Sequence, residues 1–109
     1  MRYVSIDIET SGLNPEAHNI IEFGAVVDDM VTPINDLPRF HRYVVQDSYC
    51  CQAGAIAMNK DIFGILSKYD KNIPMKAQEY PFTDNNLLIS EFITWLVQNV
   101  VKKILRHLP

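Results

Sequence analysis

The strongest constraint on the fold is a short N-terminal segment in which apolar and polar residues alternate. In residues 3–9 every second residue is apolar, which is typical of a β-strand with one face towards a core. Asp7 and Glu9 share the opposite face, with Cα atoms about 6.6 Å apart for a rise of about 3.3 Å per residue. We therefore expect a buried strand that ends with two adjacent carboxylates. The apolar positions, which we expect to face the core, are Val4, Ile6 and Ile8.

The acid pair predicts a metal site. Two neighbouring carboxylates repel each other and lose hydration on burial, unless a cation lies between them. Hard oxygen ligands suit Mg²⁺ or Mn²⁺, and two such ions about 3.5–4 Å apart commonly serve in-line phosphoryl displacement. Asp7 and Glu9 are thus candidate metal ligands. A strand that ends in a solvated acidic turn would explain the same pattern without a metal.

The longer string Asp7-Ile8-Glu9-Thr10-Ser11-Gly12-Leu13 resembles the first motif of the DEDD superfamily of 3′→5′ exonucleases. The resemblance implies an α/β fold with a ribonuclease-H-like mixed sheet and a substrate that is the 3′ end of DNA or RNA. It also implies that Asp7 and Glu9 are catalytic ligands of Mg²⁺ or Mn²⁺, and that Thr10 and Leu13 contact the terminal nucleotide. Core packing is the alternative for Leu13.

Composition limits the class of protein. The 109 residues fit one domain, residues 1–109, and the net charge of −3 provides no basic excess to bind nucleic acid by bulk electrostatics. That argues against a pure nucleic-acid-binding module more than against a metal nuclease. Cys50 and Cys51 are adjacent and predict reduced thiols in a cytoplasmic protein. No apolar run approaches the ~18 residues of a membrane span, so we expect no membrane partner.

The remaining pattern predicts three strands followed by two helices. Further strands are expected at 20–28 and 39–46, which with the first would form an antiparallel meander. Apolar residues at helical spacing predict helices at 53–69 and 84–107, the second with Asp84 as its N-cap. In the turn after the first strand, Gly12 is expected to supply a positive φ.

Several polar residues are weaker candidates for the site. Glu22 either hydrogen-bonds near the acid pair or lies at the sheet surface, and we favour the surface. His41 is expected to pair locally or face solvent rather than act as a base. Asn59 is expected on the surface rather than on nucleic acid. Three lysines are either near a phosphate path or, as we favour, solvated surface: Lys68, Lys71 and Lys76.

The resemblance also shows what to look for beyond the first motif. DEDD enzymes take four acidic side chains from three motifs, and the last acidic residue here is Glu91. We therefore expect the N-terminal portion of such a domain, with activity of this chain alone left open. One alternative is an inactive module that acts through self-association, a second chain that completes the site, or nucleic-acid binding. Another is a nicking or integrase-like nuclease of the same fold.

Overall fold

A computed structural model describes residues 2–106 as a four-stranded sheet with helices packed on it. The strands are β1 (Tyr3–Thr10), β2 (Ile20–Asp28), β3 (Arg39–Val44) and β4 (Phe82–Thr83). The helices are α1 (Ala53–Met58), α2 (Lys60–Leu66), α3 (Asn85–Leu96) and α4 (Lys102–Arg106), with a π-helical segment at Val97–Val101. Short 3₁₀ turns lie at Ile34–Asp36 and Met75–Ala77.

The sheet has the order β1-β2-β3-β4. The first three strands pair antiparallel, so the predicted meander is confirmed, whereas β4 pairs parallel with β3. We did not predict β4, because two residues are too few to show an alternating pattern. Its place is fixed by β3 instead. Tyr43 N–H donates to Pro81 O at 2.9 Å, and Val45 N–H donates to Thr83 O at 2.7 Å.

Helix α3 covers one face of the sheet with the apolar stripe predicted for it. Leu88 is buried, and the rings of Phe92 and Trp95 pack on the cluster below. The ring centroids of Phe23 and Phe92 lie 4.9 Å apart, at an edge-to-face angle that aromatic pairs prefer. The predicted N-cap of this helix is confirmed. The buried members of the cluster are Phe23, Ala25, Phe40, Val44 and Leu88.

Strand β1 is less buried than predicted. Val4 packs against the core, but Ile6 and Ile8 on the same face remain 49% and 42% exposed. The reason is that β1 lies at an edge of the sheet formed by residues 2–106, while α3 packs against β3. The expectation that all three apolar residues face a core was therefore wrong for two of them, and Asp7 lies on an exposed edge strand.

Both predicted helices are interrupted, each at an asparagine. The first breaks at Asn59, whose φ of −112° and ψ of 26° are not helical. In the second, the Asn99 amide donates to Trp95 O at 2.9 Å, at the π-helical segment. A side chain that hydrogen-bonds to a helix carbonyl competes with the regular backbone hydrogen bonds of the helix. This competition accounts for the wider, π-helical turn at this point. The predicted end of this helix, His107, lies outside the described residues.

The loop after β2 is held by an ionised carboxylate. The pKa of Asp29 is lowered to about 2, first because the Thr32 hydroxyl donates to it and then because the N–H groups of Thr32 and Val31 do. A lowered pKa stabilises the fold at pH values above the ordinary 3.8, and that contribution is lost as pH falls through about 2. Met30, within this loop, has a φ of 67°.

The structure also bears on the expectations about membrane-spanning helices and cysteines. Within residues 2–106 no helix has the length and apolar character needed to cross a membrane. Cys50 and Cys51 are free thiols, as predicted from their adjacency.

Candidate active site

The acid pair projects from the sheet face opposite α3. In the register of β1 and β2, Asp7 lies beside Gly24, and Glu9 lies beside Glu22. Asp7 is exposed and Glu9 is partly buried, so both carboxylates are open to solvent. The pleat therefore puts the two acids on one face, as the alternation predicted, at the edge of the sheet rather than inside it.

The neighbouring acid Glu22 already has a partner. Its Oε2 lies 2.9 Å from His41 Nε2, which confirms that His41 pairs locally. Glu22 is part of the sheet surface, as we favoured, and is also adjacent to the acid pair. The other ion pair of residues 2–106 joins Arg42 to Glu91.

The oxygens of Asp7 and Glu9 thus remain outside the ion pairs of the described chain. Their chemistry suits a hard divalent cation. Within residues 2–106 no three acidic, histidine or cysteine side chains are arranged so that together they could hold a metal ion. The donor set available at the site is therefore the two carboxylates of the first motif.

The turn after β1 is organised by Ser11, which is fully buried. Its hydroxyl donates to Cys50 O at 2.6 Å and accepts from Asn19 N–H at 2.9 Å. Its backbone carbonyl accepts from Gln52 N–H at 2.8 Å. One serine thereby fixes the end of the acid strand against both the entry of β2 and the entry of α1. The amino-acid pattern does not indicate this role, since a serine in a turn is common.

Gly12 is required for a different reason from the one predicted. No described glycine has a positive φ, so the expected conformational role was wrong. Instead, a Cβ at Gly12 would lie 2.4 Å from His18 Nδ1. That ring nitrogen accepts from Asn14 N–H at 2.9 Å and closes the turn. The glycine is needed because the histidine ring packs directly against the backbone.

Replacing Gly12 with alanine is therefore expected to destabilise the protein by about 1–3 kcal/mol, because the new methyl group displaces the His18 ring. The matched control is Gly64→Ala in α2, where a Cβ meets nothing within 4 Å. That change is expected to stabilise by about 0.5–1 kcal/mol through helix propensity. Urea denaturation of both variants measures the difference. Equal stabilities for the two variants would contradict the packing explanation.

A cavity of about 490 Å³ opens between the end of β1 and α1. Glu9, Thr10 and Leu13 line one side, and Met58 and Asn59 line the other. Leu13 is 90% exposed, so the alternative of core packing is wrong. Met58 is 86% exposed, which gives the cavity an apolar rim. A volume of this size is typical of small-ligand sites.

Polar groups of the cavity wall are mostly committed to the local structure. The Thr10 hydroxyl donates to Gly12 O at 2.8 Å. Leu13 N–H donates to Gln52 Oε1 at 3.0 Å, which ties the exposed leucine to the residue before α1. Asn59 is partly buried, with its Nδ2 at 3.5 Å from Thr10 O, rather than on the open surface as expected. These contacts hold Leu13 at the rim.

The structure separates the three lysines that we considered together. Lys68 lies against the ring of Tyr80, with Nζ 5.3 Å from the centroid. Lys71 lines a cavity beside Asn85, whereas Lys76 lines a groove on α3. They do not form a single phosphate path.

Comparison with known protein families identifies the family of this protein. Residues 4–109 match the RNase T family, described as exonucleases. The chain belongs to this exonuclease family. The match covers the acid motif, the sheet and the helices together, and it identifies the resemblance of the first motif as a DEDD-type relationship. No curated protein and no solved structure matches the chain.

Membership in the exonuclease family defines the fold and the general chemistry. The mixed sheet with packed helices is the α/β, ribonuclease-H-like arrangement expected from the motif. The family implies a nuclease with a nucleic-acid substrate, and its members generally use divalent metals. It does not favour the alternative of an inactive association module.

Proposed function

We propose that this exonuclease-family protein is a metal-dependent 3′→5′ exonuclease, with Asp7 and Glu9 as catalytic metal ligands. The observation that carries the proposal is the continuity of the acid pair with the cavity. Glu9 lies on the acid face and also lines the cavity, whose wall continues through Thr10 to the exposed Leu13. A strand end that enters this cavity therefore places its last phosphodiester next to the carboxylates.

The donor set fits the kind of ion that the family uses. Mg²⁺ is commonly held by one or two carboxylates and keeps several waters, so two acids on one strand are suitable ligands. Neither Asp7 nor Glu9 is engaged in an ion pair of the described residues. When bound, such ions activate a water and stabilise the leaving oxygen.

Residues at the rim and wall of the cavity provide the contacts to the terminal nucleotide. Leu13 and Met58 offer apolar contacts to the flat face of a base, while Ile8 forms part of the same wall. The hydrogen bond from Leu13 N–H to Gln52 keeps this rim in place before substrate binds. A preorganised rim lowers the entropy lost on binding.

The test follows degradation of a linear single strand that carries a 5′ label, with Mn²⁺ or with EDTA. We expect a ladder that shortens from the 3′ end in Mn²⁺, and no products in EDTA. A circular single strand of the same composition is the control and is expected to remain intact. Cleavage of the circle would indicate a nicking nuclease instead. A folded protein that leaves the linear strand intact would contradict the proposal.

A further inference from the structure

A groove with several basic residues lies on the other side of the sheet, along α3. A groove of about 510 Å³ separates this helix from β3 and the Met75–Ala77 turn. The sequence does not indicate it, because its basic residues come from two parts of the chain that are more than thirty residues apart, β3 and the Met75–Ala77 turn. Its lining residues include Arg39, Arg42, Lys76, Glu91, Trp95 and Gln98.

The groove concentrates positive charge in an acidic protein. It takes three of the ten lysine and arginine residues, namely Arg39, Arg42 and Lys76, although the chain carries a net charge of −3. Its one acid, Glu91, faces Arg42 at 3.5 Å and also accepts from the Thr83 hydroxyl. After this pairing Lys76 and Arg39 remain outside the ion pairs of the described residues, and the Arg39 guanidinium donates to Ile34 O.

Two aromatic residues line the groove, of which Phe40 is buried and Trp95 is partly exposed. The Arg42 guanidinium lies 4.3 Å from the centroid of the Phe40 ring, which fixes its position. Basic residues beside an aromatic ring on which a base can stack are a usual means of holding a single nucleic-acid strand without regard to sequence, and Trp95 is the ring that could serve here.

The groove is connected to the acid face through Arg39. This residue lines the groove and also a depression of about 320 Å³ that contains Asp7 and His41. The connection is open because β4 pairs with β3 only at Tyr43 and Val44, which leaves the Arg39 end of β3 uncovered. From β1 to β3 the distance is about 10 Å, or two strand spacings.

We propose that this basic groove binds the backbone of single-stranded nucleic acid at nucleotides upstream of the end held beside Asp7. The inference rests on the proposed nuclease function for its substrate, but its chemistry depends only on Arg39, Arg42, Lys76 and Trp95. The groove extends contact with the strand beyond the terminal nucleotide, so binding increases with strand length.

The test measures binding without turnover, by fluorescence anisotropy in EDTA with labelled dT20 and dT3. We expect Lys76→Ala and Arg39→Ala each to weaken dT20 binding about 5–10-fold and to reduce the salt slope by about 0.7, the value for one contact to a single strand. Binding of dT3 is expected to change less than twofold, because it does not reach the groove. Arg39→Lys keeps the charge and is expected to retain most of the affinity.

Lys60→Ala is the matched control, since Lys60 is an exposed lysine of α2 outside the groove. An equal loss in this control would mean diffuse charge attraction and would overturn the proposal. Unchanged dT20 binding in the groove variants, equal losses for dT3, or tighter groove-dependent binding of polyglutamate would also overturn it. Because no cleavage is measured, failure of the nuclease assignment and failure of the groove are distinguishable.

Discussion

Replacing Asp7 with asparagine is expected to lower the rate of 3′-end degradation by at least about 100-fold. Even the residues that only support metal ligands commonly cost 10–100-fold when mutated, and Asp7 is proposed as a ligand itself. The amide has nearly the same shape as the carboxylate but carries no charge. Since Asp7 is exposed, we expect the free energy of unfolding to change by less than about 0.5 kcal/mol.

The measurement is the initial rate on a 5′-labelled single strand, together with Mn²⁺ binding by calorimetry. Asp47→Asn is the control, because Asp47 is an exposed acid outside the acid face and its cavity. We expect Asp7→Asn to lose both activity and Mn²⁺ affinity, and the control to keep both. Full activity of Asp7→Asn would show that the first motif does not bind the catalytic metal here.

Replacing Ser11 with alanine is expected to lower the free energy of unfolding by about 2–4 kcal/mol. The Ser11 hydroxyl is fully buried and serves two backbone groups, Cys50 O and Asn19 N–H. Its removal leaves both without their partner, and an unsatisfied buried group costs about 1–3 kcal/mol. This is a large part of the 5–15 kcal/mol that stabilises a typical domain.

Ser67→Ala provides the comparison for this change. The Ser67 hydroxyl also donates to a carbonyl, Gly64 O at 2.6 Å, but the side chain is exposed and water can replace the bond. We expect this control to change stability by less than about 0.5 kcal/mol in urea denaturation. If Ser11→Ala were as stable as Ser67→Ala, the hydrogen bonds of Ser11 would not hold the turn.

The two substitutions distinguish metal binding from structural support at the end of β1. Asp7→Asn removes a charge and leaves the cavity intact, whereas Ser11→Ala loosens the wall that carries Leu13. A modest rate loss in Ser11→Ala at low temperature, where the protein stays folded, would report on that wall alone.

Local pattern was sufficient for the elements that depend on neighbouring residues. The alternation of residues 3–9 predicted β1 and the shared face of Asp7 and Glu9, because the strand pleat has a fixed period of two. Asp84 was recognisable as an N-cap since its partners, the N–H groups of Asn86 and Leu87, follow within three residues. The acid string was also specific enough to predict the family.

Contacts between distant segments could not be predicted from local pattern. Cys50, the acceptor of the Ser11 hydroxyl, lies 39 residues away, and the three cations of the groove come from β3 and the Met75–Ala77 turn. The same applies to the exposure of Ile6, which depends on where α3 lies over the sheet. The acid strand, its two carboxylates and the family were predictable from the amino-acid pattern alone. The burial and the long-range hydrogen-bond partners of the residues around the acid strand were not predictable in this way, because both depend on how whole helices and strands pack together.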